Sequence, residues 1–249
     1  MIDALVEQLS GVGNVVAVTL GGSRAVGAER EDSDWDVGLY YRGTLDTDQI
    51  RALGHTGQVF EPGEWAEPMH GGAWLTIDDT KVDVIYRDLD RVEAEIARAA
   101  EGSFEIHRVP GYVAGMPSYT LLGEIALGKV LHGELPDVSF PDALHERAPQ
   151  RWRHEAGFSL MFASGFAARG DAIGCGGNLA VATMQAAHAV FCERGEWTLN
   201  EKRLVRRAGL GRANEIIAVL GTGPRALAQA VSSVAQVLGV RVVRDPRDL

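Results

Sequence analysis

Cysteine is scarce in this chain: Cys175 and Cys192 are its two copies, and neither sits in a paired-ligand spacing. That excludes a disulfide framework and a cysteine zinc site, and it fits a reducing compartment such as the cytoplasm. No run of about 18 apolar residues occurs, so no transmembrane helix is expected. The first residues lack the basic start and apolar core of a signal peptide. Positive charge is also short. There are 24 Lys and Arg against 34 Asp and Glu, a formal net charge of −10, with only three lysines: Lys81, Lys129 and Lys202. A basic stripe for a nucleic-acid polymer is therefore not expected, although Arg203, Arg206 and Arg207 cluster locally. An acidic surface favours a cationic small molecule instead. No internal repeat or low-complexity segment is present, and His145 and His154 show no metal-ligand spacing.

What is present is concentrated near the N-terminus. Residues 14–20 form a β-branched apolar run of strand length. Gly21-Gly22-Ser23-Arg24 follows, and then Ser33-Asp34-Trp35-Asp36 opens a second strand. Residues i and i+2 of a strand share a face, so Asp34 and Asp36 converge on one small volume. Two like charges held together need a cation between them, and carboxylates select a hard one. The glycines let the backbone approach a ligand, Ser23 adds a hydroxyl, and a helix starting near Arg24 would offer unpaired N–H groups to an anion. A phosphate cradle beside two carboxylates describes an enzyme that handles a nucleoside triphosphate with Mg2+.

Two-metal phosphoryl chemistry needs a third carboxylate. Asp83, alone among the β-branched residues of strand 81–86, is its donor, and an ionised Asp there is costly without a metal or a partner. Lys81, on the same face, is the alternative partner. Asp78-Asp79-Thr80 marks a hairpin between strands 73–77 and 81–86, so Asp78 and Asp79 are turn residues.

Gly22-Ser23, Asp34-Trp35-Asp36 and Asp83 resemble the nucleotidyltransferase superfamily that includes DNA polymerase beta and the antibiotic nucleotidyltransferases. The resemblance covers roughly the first 110 residues. It implies that Asp34, Asp36 and Asp83 hold two Mg2+ ions, and that Gly22, Ser23 and Arg24 meet the triphosphate, ATP by default. It also implies a helical-domain lysine on the triphosphate, matched here by Lys202; a solvated surface lysine is the other reading. Asp83 is the general-base candidate. The acceptor implied is a small hydroxylated molecule, an aminoglycoside- or lincosamide-like antibiotic or a metabolite. A toxin–antitoxin-type enzyme modifying protein or RNA, and a nucleotide-sensing module, are the alternatives.

The expected fold class is α+β: a nucleotidyltransferase α/β domain with a small mixed sheet over 1–110, then a helical bundle over 111–249, with the substrate in a cleft between them. Helices are expected over 1–10, 46–53, 88–100, 119–131, 141–168, 177–194, 200–208, 212–220 and 224–238, with an edge strand over 104–109. Residues 54–72 form a long excursion whose Glu64, Trp65, Glu67 and His70 are candidates for the acceptor side. Asn178, Gln185 and His188 fall near one helix face and are candidates for holding base or acceptor. Phe158, Met161, Phe162 and Phe166 are expected to pack. Pattern alone does not define an oligomeric state.

Overall fold

The computed structural model describes residues 1–25, 27 and 34–243. Its chain divides into two compact units. The first comprises Met1–Ala99, Phe104–Val109 and Pro117–Ser139, and the second holds the remainder.

The first unit is built from α1 (Ile2–Ser10), β1 (Val15–Leu20), α2 (Gly22–Ala25), β2 (Trp35–Tyr41), α3 (Thr47–Ala52), β3 (Thr56–Val59), β4 (Gly72–Ile77), β5 (Thr80–Asp88) and α4 (Leu89–Ala100). Then come β6 (Ile106–His107), β7 (Met116–Pro117), α5 (Thr120–Leu127) and β8 (Lys129–Gly133). Strands β6 and β7 form a two-stranded ribbon, while the main sheet has six strands in the order β3-β4-β5-β2-β1-β8. Within that sheet β2 and β5 pair in parallel and every other pair is antiparallel. The sheet is therefore mixed, as expected.

Alternation along the strands divides its two faces. Val37, Leu39 and Tyr41 of β2 and Val82, Val84 and Tyr86 of β5 turn to one side. There they pack with Leu5 and Leu9 of α1 and with Ile50 of α3. Helix α1 supplies this contact because Ile2, Leu5, Val6 and Leu9 recur at helical spacing and so form one apolar stripe. Asp36, Gly38 and Tyr40 of β2 and Asp83, Ile85 and Arg87 of β5 necessarily occupy the opposite face.

One end of that opposite face is closed by an ion pair. Arg87, 3% exposed, grips Glu124 of α5 with Nε to Oε2 at 2.6 Å and Nη2 to Oε1 at 2.7 Å. Its remaining nitrogen donates to the carbonyls of Met69 at 2.9 Å and Tyr86 at 3.0 Å. Tyr40 lies in the same neighbourhood; burial first, and then the Glu124 charge, push its hydroxyl pKa up.

Residues 119–131 do not form the single helix expected of them. Helix α5 ends at Leu127, Gly128 turns extended (ψ 155°), and Lys129–Gly133 becomes an edge strand against β1. Likewise the alternating stretch 104–109 is a strand only at Ile106–His107.

The second unit is helical: α6 (Asp142–Ala168), α7 (Ala172–Glu193), α8 (Leu204–Arg207), α9 (Gly211–Ala218) and α10 (Pro224–Leu238). Its core is rich in small residues. Ala156, Leu160, Ala163 and Ala167 of α6 meet Leu179, Ala182 and Ala186 of α7 and Leu227, Val231 and Val234 of α10. Helix α6 runs through Pro149 without a break. Helix α7 begins earlier than expected, because the Asp171 carboxylate accepts the Gly174 N–H at 2.9 Å and caps it. Helix α8 is shorter than expected: Arg203 takes a left-handed conformation (φ 57°) and leaves 200–203 as a turn. Phe162, expected to pack, is 55% exposed. Cys175 and Cys192 are buried free thiols, and no described helix is long and apolar enough to cross a membrane.

Removing one partner of a part-buried, bidentate ion pair leaves the other charge unpaired and partly desolvated. Arg87→Met is therefore expected to lower unfolding stability by about 3 kcal/mol in urea titration. Adding Glu124→Leu to it is expected to recover most of that loss.

Candidate functional site

The site begins where β1 ends. The Gly21 N–H donates to the Asp36 carbonyl at 2.7 Å, continuing the β1–β2 ladder into the turn. Gly22 starts α2 in a left-handed conformation (φ 61°), and a Cβ at that position would lie 1.7 Å from Asp36 Oδ2. Only glycine meets both demands, so the turn backbone rests directly against the Asp36 carboxylate. Arg24 reaches across the same turn. Its guanidinium lies 4.4 Å from the Trp35 ring centroid, and its Nε donates to the Asp34 carbonyl at 3.4 Å. Ser23 is half-buried in α2, between Gly22 and Arg24. Ser33, which opens the Ser-Asp-x-Asp stretch, lies outside the described residues.

Parallel pairing brings the next carboxylate alongside. Asp36 and Asp83 are register partners on β2 and β5, adjacent on one face. Asp34, exposed at the entry to β2, completes the i and i+2 pair. It is close enough for its charge to act on Asp83: burial first, and then Asp34, push the Asp83 carboxyl above its ordinary value. Exposed Lys81 opposes both effects and does not overcome them. Lys81 thus offsets in part the penalty on the ionised form of Asp83.

Carboxylate oxygens are the donors Mg2+ takes, and a cation would relieve the repulsion that Asp34 exerts on Asp83, so the donor set fits the metal. Among the described residues no three His, Cys, Asp or Glu side chains are gathered closely enough to enclose an ion by themselves. Asp34, Asp36 and Asp83 would therefore hold Mg2+ only together with oxygen donors from outside the protein.

The remaining sequence candidates have other neighbours. Glu64 accepts the Glu61 N–H at 2.7 Å, and Glu67 pairs with Arg91 while lying 4.0 Å from His70 Nδ1. These contacts hold the 60–71 loop closed. Trp65 instead packs with Phe60 and Trp74. Lys202 belongs to the second unit, where it is exposed and its N–H donates to Asn200 Oδ1 at 3.0 Å. Asn178 bonds back to the Gly174 carbonyl at 2.8 Å, and Gln185 accepts from buried Ser159 at 2.8 Å. His188 is fully buried, stacked on Trp152 at 4.5 Å with its Nε2 3.4 Å from Glu201. All three thus have neighbours within the helical unit.

Trp74 was not singled out from the sequence, although a signal for it was there. A two-residue turn at Asp78-Asp79, both with positive φ (49° and 61°), pairs Ile77 with Thr80 and hence Trp74 with Asp83.

Three solved structures to which the chain is similar are a nucleotidyltransferase-like protein from Exiguobacterium sibiricum, an aminoglycoside 6-adenyltransferase from Bacillus subtilis and a cyclic dinucleotide synthase from Elizabethkingia meningoseptica with GTP and Apcpp. The first is 10% identical with a TM-score of 0.43, over 95% of this chain and 72% of that one. The second is 11% identical with a TM-score of 0.27, over 97% and 91%. The third is 10% identical with a TM-score of 0.24, over 96% and 90%. No family model matches the chain, and no curated protein matches it. These likenesses are distant.

A carboxyl whose value is raised by folding binds its proton more tightly in the native state. Its contribution to stability is full below the ordinary carboxylate range and is lost as pH rises through the raised value. With chelator present, the wild-type melting temperature is therefore expected to fall relative to Asp83→Asn as pH rises through that window. Added Mg2+ is expected to restore the wild type and leave Asp83→Asn little changed, as read by differential scanning calorimetry.

Proposed function

We propose that this chain is a Mg2+-dependent nucleotidyltransferase. It moves a nucleoside monophosphate, AMP from ATP by default, onto a hydroxyl of a small molecule such as an aminoglycoside- or lincosamide-like antibiotic or a metabolite, and releases pyrophosphate. The observation that carries this reading is the side-by-side register of Asp36 and Asp83, with Asp34 acting on Asp83 and Gly22 folded against Asp36.

Asp34, Asp36 and Asp83 are the residues that would hold Mg2+. When bound, the metal supplies charge neutralisation for the triphosphate and a lower pKa for the acceptor hydroxyl. Gly22, Ser23 and Arg24 form the turn assigned to the phosphates. Asp83, whose proton affinity burial already raises, takes the proton of the attacking hydroxyl. The acceptor oxygen then bonds to the α-phosphorus as the bond from that phosphorus to the pyrophosphate oxygen breaks. The net charge of −10 favours a cationic acceptor over a polyanionic one. The buried free thiols Cys175 and Cys192 favour a cytoplasmic setting.

The test is incubation of purified protein and Mg2+ with each α-phosphate-labelled nucleoside triphosphate, a panel of aminoglycosides and lincosamides, and a cell extract. Label is expected on a small molecule, with pyrophosphate released. Label on a protein or RNA band would overturn the acceptor class, and no Mg2+-dependent transfer to anything would overturn the reading. Asp36→Asn is expected to cut transfer by roughly a thousand-fold while the protein stays folded by circular dichroism.

A further inference from the structure

The open face of the sheet carries one more feature beside the carboxylates. Reading across the strands at a single level, the register partners are Gln58 on β3, Trp74 on β4, Asp83 on β5 and Asp36 on β2. The Gly21 N–H that bonds the Asp36 carbonyl continues the row. Neighbouring strands lie roughly 4.8 Å apart, so Trp74 stands one strand from Asp83 on the side away from Asp36.

Trp74 is 51% exposed, while its strand neighbours Ala73 and Leu75 point into the core. Its indole is held in place by other rings. The Phe60 ring meets it edge-on at 4.8 Å and 78°, and Trp65 lies at 5.6 Å and 34°, itself 5.1 Å from Phe60. Gly72, two residues before Trp74 on the same face, makes this arrangement possible: a Cβ there would come within 2.7 Å of the Trp65 ring. Three aromatic rings thus form a fixed block with one indole left partly open to solvent, beside the carboxylate assigned as general base.

We infer that Trp74 is the acceptor-binding platform: a ring of the hydroxylated acceptor stacks on its indole and so brings a ring hydroxyl over Asp83. This rests on the nucleotidyl-transfer reading of the three carboxylates. The order along the row gives the direction. The triphosphate turn lies at the Gly22 end, and in-line transfer puts attacking and leaving oxygens on opposite sides of the phosphorus. The acceptor therefore enters from the far side of Asp83, where Trp74 stands. The ligand class is a ring-bearing polyol or amino-polyol, whose C–H face or protonated amine suits an indole face.

The test uses protein labelled with nitrogen-15 to follow the indole N–H resonances, with Trp74 assigned by its loss in Trp74→Phe. Kanamycin and lincomycin serve as ring probes, each titrated to tens of millimolar into the wild-type protein in the presence of Mg2+ and ATP, the ATP supplied as its α,β-methylene analogue so that transfer cannot occur. At least one probe is expected to shift the Trp74 signal while Mg2+ and ATP alone leave it in place. In the active protein, Trp74→Ala is expected to raise the acceptor KM about ten-fold or more with the ATP KM unchanged, and Trp74→Phe to stay within about two-fold of wild type. A Trp74 shift caused by Mg2+ and ATP alone would make it a platform for the nucleotide base and overturn the inference. So would failure of both probes to shift it, or an unchanged acceptor KM in Trp74→Ala. Failure of the underlying reading looks different: Mg2+ and ATP would then leave the wild-type backbone signals of Gly22, Asp36 and Asp83 unmoved.

Discussion

The parallel pairing of β2 with β5 is the constraint on which the site depends. It is the one parallel pair in an otherwise antiparallel sheet, and it sets Asp36 beside Asp83 although 46 residues separate them in the chain. The pairing is held from the other face. Val37, Leu39 and Tyr41 alternate with Asp36, Gly38 and Tyr40, and the first three are sealed under α1. Each such buried side chain contributes about 1.5–3 kcal/mol. A slip of one residue would drive Asp36 into the core and expose Leu39. The apolar core is therefore what aims the carboxylates.

The open face itself is uneven in its electrostatics. At one end Arg87 and Glu124 satisfy each other, and Arg87 also holds the Met69 carbonyl. At the other end Asp83 is half-buried and faces the Asp34 charge, and among the described residues exposed Lys81 offsets this in part. The sheet neutralises a buried arginine at one end, while at the other the described residues leave the ionised form of Asp83 penalised. That contrast is the electrostatic basis of the proposal that a cation binds there. The turn at Gly22 agrees with it, since the absent side chain leaves the Asp36 carboxylate packed against bare backbone.

Much of this was legible in the sequence because it obeys short-range rules. The i and i+2 spacing placed Asp34 and Asp36 on one face, and the Asp78-Asp79 turn announced the β4–β5 hairpin. Register was equally available there, since a two-residue turn fixes every partner down the ladder, Trp74 with Asp83 included. What local pattern could not carry was long-range pairing. Residues 129–133 follow helix-like Leu121, Leu122 and Ile125, and their strand conformation comes from bonding to β1 more than a hundred residues earlier. The Arg87–Glu124 pair is hidden for the same reason. Asn200 does bond to the Lys202 N–H, as a cap would, but Arg203 then turns left-handed and postpones the helix to Leu204. His188 is a candidate by helix face for holding base or acceptor, yet stacking on Trp152 buries it completely.

The most direct test of the central claim is paramagnetic. Mn2+ substitutes for Mg2+ at oxygen-ligand sites, and it broadens the NMR signals of nearby nuclei. Titrated with ATP into nitrogen-15-labelled protein, it is expected to broaden the amides of Gly22, Asp36 and Asp83 first, and to do so far less in Asp36→Asn. Broadening centred elsewhere, or identical in the wild type and Asp36→Asn, would contradict the assignment of this carboxylate row as the metal–nucleotide site.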